Sequence, residues 1–205
     1  MKSCLRLIQI SDLHFGFPPG DLLNSGINTV QTFAQVAQRI AQLQPDAIVA
    51  TGDLAQDPEA EVYQRLAATF ARLPAPVYCL PGNHDDPELM AQILTNPPSQ
   101  PNAQNSPCKQ VLLGGWQLLL LDSNHRQHSH RGRLGDAELA WLEQSLAAQP
   151  ALHSLICLHH HPQPIHSPWM DRMGLEDSAE LLRLLQRHPQ VRGVIFGHIH
   201  QDFSL

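Results

Sequence analysis

Residues 193–200, GVIFGHIH, join an apolar β-rich run to a glycine and two histidines separated by one residue. The run has strand length, and the histidines fall just past its end. The arrangement recurs along the chain. LIQI is followed by Asp12 and His14, AIVAT by Gly52-Asp53, VYCL by Gly82-Asn83-His84-Asp85, and LICL by His159-His160-His161. Helical patterns separate most of these runs, so the chain reads as a layered α/β domain with mixed sheets, parallel strand pairs and flanking helices.

The spacing predicts a first helix over 28–43, opened by a capping box of Asn28 and Gln31. Further helices are expected over 58–73 and 88–94, and over 135–149 with Asp136 as N-cap. The last is SAELLRLLQRH, with Asp177 and Glu180 as its capping pair. KQVLLGGWQLLLLD reads as a hairpin turning at Gly114-Gly115, and the proline- and asparagine-rich stretch 95–107 as a loop, since the pattern resumes directly after it. Residues 1–205 are therefore expected to form a single domain.

Composition narrows the function. The chain is 42% hydrophobic and 16% charged, enough apolar residue for a sizeable core. A net charge of -6 argues against a stable nucleic-acid footprint. The N-terminal stretch has no signal-peptide pattern and no segment reaches membrane-spanning length, so the cytoplasm is the expected compartment. Cys4, Cys79, Cys108 and Cys157 are scattered without a CxxC pair and read as reduced packing residues.

In open α/β sheets, ligands bind beyond the carboxyl ends of strands, so the polar groups after the five runs are expected at one rim. Carboxylates and imidazoles suit Mn, Fe, Zn, Co or Ni, and seven or eight of them exceed the needs of one tetrahedral ion. Two metals sharing a bridging carboxylate is the natural arrangement. One residue between Asp12 and His14, and between His198 and His200, is expected to send both side chains of a pair to the same side, as on a strand. Each motif alone is common loop chemistry; their joint occurrence after strands is what carries the reading.

Together, Asp12-x-His14, Gly52-Asp53, Gly82-Asn83-His84-Asp85, His160-x-Pro162 and Gly197-His198-x-His200 resemble the calcineurin-like metallophosphoesterase signature over nearly the whole chain. GNHD, TGDLAQD, LHHHPQP, SPWMDRMGL and GHIHQ resemble most closely the bacterial class III cyclic-nucleotide phosphodiesterases. The resemblance implies that Asp12, His14 and His200 hold one metal ion and that Asn83, His160 and His198 hold the other. Asp53 would bridge the two, and His159 is the adjacent alternative to His160. It implies hydrolysis of 3′,5′-cyclic AMP to 5′-AMP by a metal-activated hydroxide attacking phosphorus, with two ions from among Fe, Mn, Zn and Co. His84 is the expected catalytic residue at the phosphoryl group, oriented by Asp57 or Asp85. Substrate contacts are expected at His14, Asp53, Asn83, His84, His160 and His200.

Asp122, after LLLL, reads as a loop anchor, and Trp169 either as the wall of a base pocket or as loop packing. The stretch 124–133, rich in histidine and arginine, reads as a solvated loop. Members of the resembled family continue through further β-strands beyond the GHxHQ motif, so such strands are expected to be missing here. The implied partner is a small cyclic nucleotide, with monomer and homodimer both open. Two alternatives stand beside this reading. One is a phosphoesterase for another diester or a monoester; the other is a non-catalytic metal- or nucleotide-binding remnant.

Overall fold

A computed structural model describes residues 4–16, 26–94, 109–125 and 130–204. Cys108, Arg126 and His128, and the whole of the 95–107 loop expectation, lie outside these residues. The chain divides into two compact units, 1–108 and 109–205, taken in turn.

The first unit alternates strand and helix: β1 (Leu7–Ile10), α1 (Thr29–Leu43), β2 (Ala47–Thr51), α2 (Ala60–Phe70), β3 (Val77–Leu80) and α3 (Pro87–Ile93). The strands form an all-parallel sheet in the order β1-β2-β3. Central β2 is buried at every position, as a parallel strand covered on both faces must be, which is why AIVAT is an unbroken apolar run. Helix α1 forms as expected. Asn28 accepts a hydrogen bond from Gln31 N at 3.0 Å, and Phe33 and Ile40 are buried on one face. It stops at Gln44, which turns left-handed (φ 48°) ahead of Pro45. Asp86 caps α3 through Glu88 N and Leu89 N, with Pro87 in the first turn.

The second unit contains β4 (Gln110–Leu113), β5 (Trp116–Leu120), α4 (Gly135–Ala148), β6 (His153–Cys157), a single 3₁₀ turn (Met170–Arg172), α5 (Ser178–Gln186) and β7 (Val191–Ile195). Its sheet has the order β4-β5-β6-β7. The expected hairpin supplies the antiparallel β4–β5 pair, and the remaining pairs are parallel. Leu142, Leu146, Leu181 and Leu184 from the two helices pack with Leu119, Ile156 and Leu158 into the core of this unit.

Both expected caps in this unit are corrected. Helix α4 begins at Gly135, so Asp136 falls inside its first turn. Its leading amides at Leu134 and Gly135 donate to the carboxylate of Asp177, more than forty residues away. Asp177 does occupy the N-cap position of α5, but its side chain makes no cap hydrogen bond there. A local capping rule cannot see such an exchange, because a carboxylate goes to whichever orphan amides the fold brings near.

Leu142→Ala, at a position with no exposed surface, is expected to destabilise the protein by about 2–5 kcal/mol through lost burial and a cavity. Urea denaturation of mutant and parent measures it.

Candidate functional site

In the first unit, three parallel strands deliver their polar residues to one edge of the sheet. Beyond β1 and β2 the two chains stay side by side: Asp12 N donates to Gly52 O at 3.0 Å, His14 N to Asp53 O at 3.0 Å and Phe15 N to Leu54 O at 2.9 Å. Ligand atoms of Asp12, His14 and Asp53 lie within 4.8 Å of one another, and His14 Nε2 is 3.8 Å from Asp53 Oδ2. All three residues have left-handed backbones, with φ of 55°, 45° and 49°. The expectation of strand-like alternation is therefore corrected. β1 ends at Ile10, and the Asp12–His14 pairing is produced by alternating left-handed residues in the following loop.

Asp53 is the centre of this group. Its Oδ1 accepts the backbone N–H of His84 at 2.9 Å, and a Cβ on Gly82 would overlap that same oxygen. The glycine is needed for close approach. Asn83 comes next in the same turn, and its buried Oδ1 has no hydrogen-bond partner among the described residues. An orphaned amide oxygen beside carboxylates and an imidazole is a donor set that fits a divalent cation.

His84 sits edge-on to His14, with ring centroids 5.0 Å apart. Its Nδ1 is 3.1 Å from the carbonyl oxygen of Gln56. A carbonyl only accepts, so Nδ1 carries the proton and Nε2 is the nitrogen left for other chemistry. This corrects the expected orientation by Asp57 or Asp85. The Asp85 carboxylate is already engaged by Leu54 N, Ala55 N, Gly82 N and the Tyr63 hydroxyl, and so ties the loop after β2 to the loop after β3. Burial pushes Asp85 up to about 6, while its amide hydrogen bonds pull the other way.

The second unit holds a separate histidine group at the ends of β6 and β7. Ligand nitrogens of His159, His160 and His198 lie within 4.8 Å of one another, and all three residues are buried. Ring centroids are 5.0 Å apart for His159–His160 and for His159–His198, and 4.7 Å for His160–His198. The two alternatives left open by the HHHP run thus both join His198. His160 is distinguished by Ser123, whose Oγ is 2.8 Å from His160 Nδ1 and accepts His160 N at 3.3 Å. A hydroxyl can accept from Nδ1–H, and in that tautomer Nε2 keeps the lone pair a metal ion requires. A Cβ on Gly132 would overlap the His160 ring, so glycine is required there too. His198 and His200 have φ of 72° and 52°, past the end of β7, and His200 is exposed and outside the three-histidine group.

Five of the seven left-handed non-glycine residues described are expected metal ligands. Such backbones are unfavourable for side chains larger than glycine and collect at functional sites. Ser123, Gly132, Tyr63 and the Gln56 carbonyl were not anticipated. For Ser123 there was a signal, since it follows the apolar run LLLL as the other donors follow theirs. Asp122, one residue earlier, behaves as expected: its Oδ1 accepts Asn124 N at 2.9 Å, an anchored turn. Trp169 is 70% exposed, which removes the loop-packing alternative. No helix among the described residues is long and apolar enough to cross a membrane.

Comparison with known proteins agrees with this geometry. Residues 5–202 match the family described as calcineurin-like phosphoesterase, and the chain belongs to that family. It is therefore a metallophosphoesterase by descent, a hydrolase class. Over 204 residues it is 40% identical to the 3′,5′-cyclic adenosine monophosphate phosphodiesterase CpdA of Escherichia coli, covering 98% of this chain and 71% of that one. The enzyme of the same name from Vibrio vulnificus is 38% identical, covering all of this chain and 73% of the other. A dimetal phosphatase from Danio rerio shares the fold, with a TM-score of 0.72 at 15% identity, covering 96% of this chain and 82% of that one.

Ser123→Ala is expected to weaken divalent-ion binding by about 10–100-fold by releasing His160. Competition with a chromogenic chelator reads that change, and an unchanged affinity would remove Ser123 from the ligand shell.

Proposed function

We propose that this chain hydrolyses 3′,5′-cyclic AMP to 5′-AMP with two metal ions. The observation that carries the substrate is the 36–40% identity, over 97–100% of the chain, to enzymes named as cyclic-AMP phosphodiesterases. The two separate donor groups support the pair of ions: Asp12, His14 and Asp53 in the first unit, and His159, His160 and His198 in the second.

Asp12, His14 and His200 would hold one ion. Asn83, His160 and His198 would hold the other, with Asp53 bridging. When bound, two such ions acidify water, orient the phosphodiester and neutralise the charge that develops on it. The remaining work falls to the chain. His84, with Nδ1 fixed on the Gln56 carbonyl, presents Nε2 toward the phosphoryl group. Water adds to phosphorus, the P–O3′ bond breaks, and the 3′ oxygen leaves with a proton that a protonated His84 Nε2 can supply. His14, Asp53, Asn83, His160 and His200 would line the phosphate side of the same site. Metal identity among Fe, Mn, Zn and Co is left to measurement, since carboxylate–imidazole sites accept all four.

The test is turnover of cyclic AMP by the purified 205-residue chain with Mn²⁺, beside Asp53→Asn and His84→Ala. Turnover is expected in the parent, none in Asp53→Asn, and a loss of about 10²–10⁴-fold in His84→Ala with metal content unchanged. Parallel assays with a glycerophosphodiester and p-nitrophenyl phosphate separate the other substrate classes. A folded, metal-loaded parent that leaves cyclic AMP intact would sink the proposal.

A further inference from the structure

His161, the third histidine of the HHHP run, belongs to no candidate ligand group. It is nonetheless only 2% exposed, and neither of its ring nitrogens has a hydrogen-bond partner among the described residues. A buried imidazole that makes no hydrogen bond contributes through its shape and its faces. Those faces are well defined. One is stacked on the ring of His198, with centroids 5.8 Å apart and planes 19° from parallel, and Phe196 lies beside it at 6.5 Å.

The Nε2 edge is backed by the main chain at Gly174, where a Cβ would stand 2.9 Å from Nε2. That wall is itself fixed: Leu175 N donates to His161 O at 3.1 Å, and Gly132 N donates to Gly174 O at 3.3 Å. Asp171, 3.9 Å from His161 Nε2, is held by accepting Ile165 N at 2.8 Å. His161 is thus clamped between a rigid loop and the ring of His198. His198 needs such a clamp. It lies beyond the end of β7 on a left-handed backbone, just after Gly197 N donates to His159 O at 3.0 Å, and the direction of its ring is then a matter of side-chain packing. Its ring also packs against the rings of His159 and His160.

We infer that His161 is a positioning residue for His198, a stacked buttress that holds the metal-ligating ring in place, and that Gly174 is glycine to leave room for it. The inference rests on the reading of His198 as a metal ligand. Removing the buttress opens a space into which His198 can rotate, which weakens one of the two ions. A ring of similar size and no polar atoms, His161→Phe, should serve as well.

The experiment is equilibrium Mn²⁺ binding by chelator competition, with metal content after desalting, for the parent chain, His161→Ala, His161→Phe and Gly174→Ala. The parent is expected to bind two ions. His161→Ala should weaken one of them by about tenfold, at the low end of what losing support to a metal ligand does, and leave the other unchanged. Gly174→Ala, which pushes on the ring, should shift the same ion in the same direction, and His161→Phe should restore parental binding. Parental affinity in His161→Ala overturns the inference, as does a His161→Phe protein that binds as weakly as the alanine variant. If His161→Ala does not fold, judged by circular dichroism of the metal-free protein, unchanged affinity in Gly174→Ala overturns it instead. A parent that binds no ions removes the underlying reading of His198, a failure distinct from either.

Discussion

The candidate site in the first unit is built around Asp53, held with one carboxylate oxygen fixed and the other facing His14 Nε2 at 3.8 Å. The fixed oxygen accepts the backbone N–H of His84, and only a glycine at position 82 lets the turn after β3 come that close. Asp85 secures the same turn from below, collecting three amides and the Tyr63 hydroxyl. Carboxylates brought together in this way repel one another and lose hydration. Burial and the Asp53 charge both push Asp85 toward its protonated form. A bound cation reverses that balance, so the donor set makes electrostatic sense as a metal site.

Backbone strain points to the same residues. Asp12, His14, Asp53, His198 and His200 all adopt left-handed conformations, each costing roughly 1–3 kcal/mol for a side chain beyond Cβ. In the first unit the loops after β1 and β2 hold the strained residues by continuing to hydrogen-bond to each other after their ladder has ended. In the second, the segments after β6 and β7 also stay paired, Gly197 N donating to His159 O at 3.0 Å, and ring stacking is added around His198. Main-chain hydrogen bonds hold both groups of ligands, and packed rings add to them in the second.

Much of this was legible beforehand. Unbroken apolar runs ending in Gly-Asp, Gly-Asn-His and Gly-His-x-His give both the buried parallel strands and the donors at their ends, because burial and strand length are local properties of composition. The Asn28 cap, the Asp122 turn and the Gly114-Gly115 hairpin were readable for the same reason. Two of the readings that failed involved groups competing for a partner distant in sequence. Asp177 was expected to cap α5 with its side chain, which instead takes the leading amides of α4; Asp85, one of two candidates to orient His84, instead holds backbone amides. The direction of His14 relative to Asp12 was derived from strand alternation, yet it comes from left-handed turns.

The sequence by itself determined the strand–helix alternation, the chemical types of the donors and their positions just past the strands, since these follow from residue identity and spacing. Only the tertiary structure decided which partner each polar group takes: Gln56 O for His84, Ser123 for His160, and the ring of His161 for His198. A hydrogen bond or a ring stack is chosen by distances of a few ångströms between segments that lie tens of residues apart. Those distances exist only once the chain has folded.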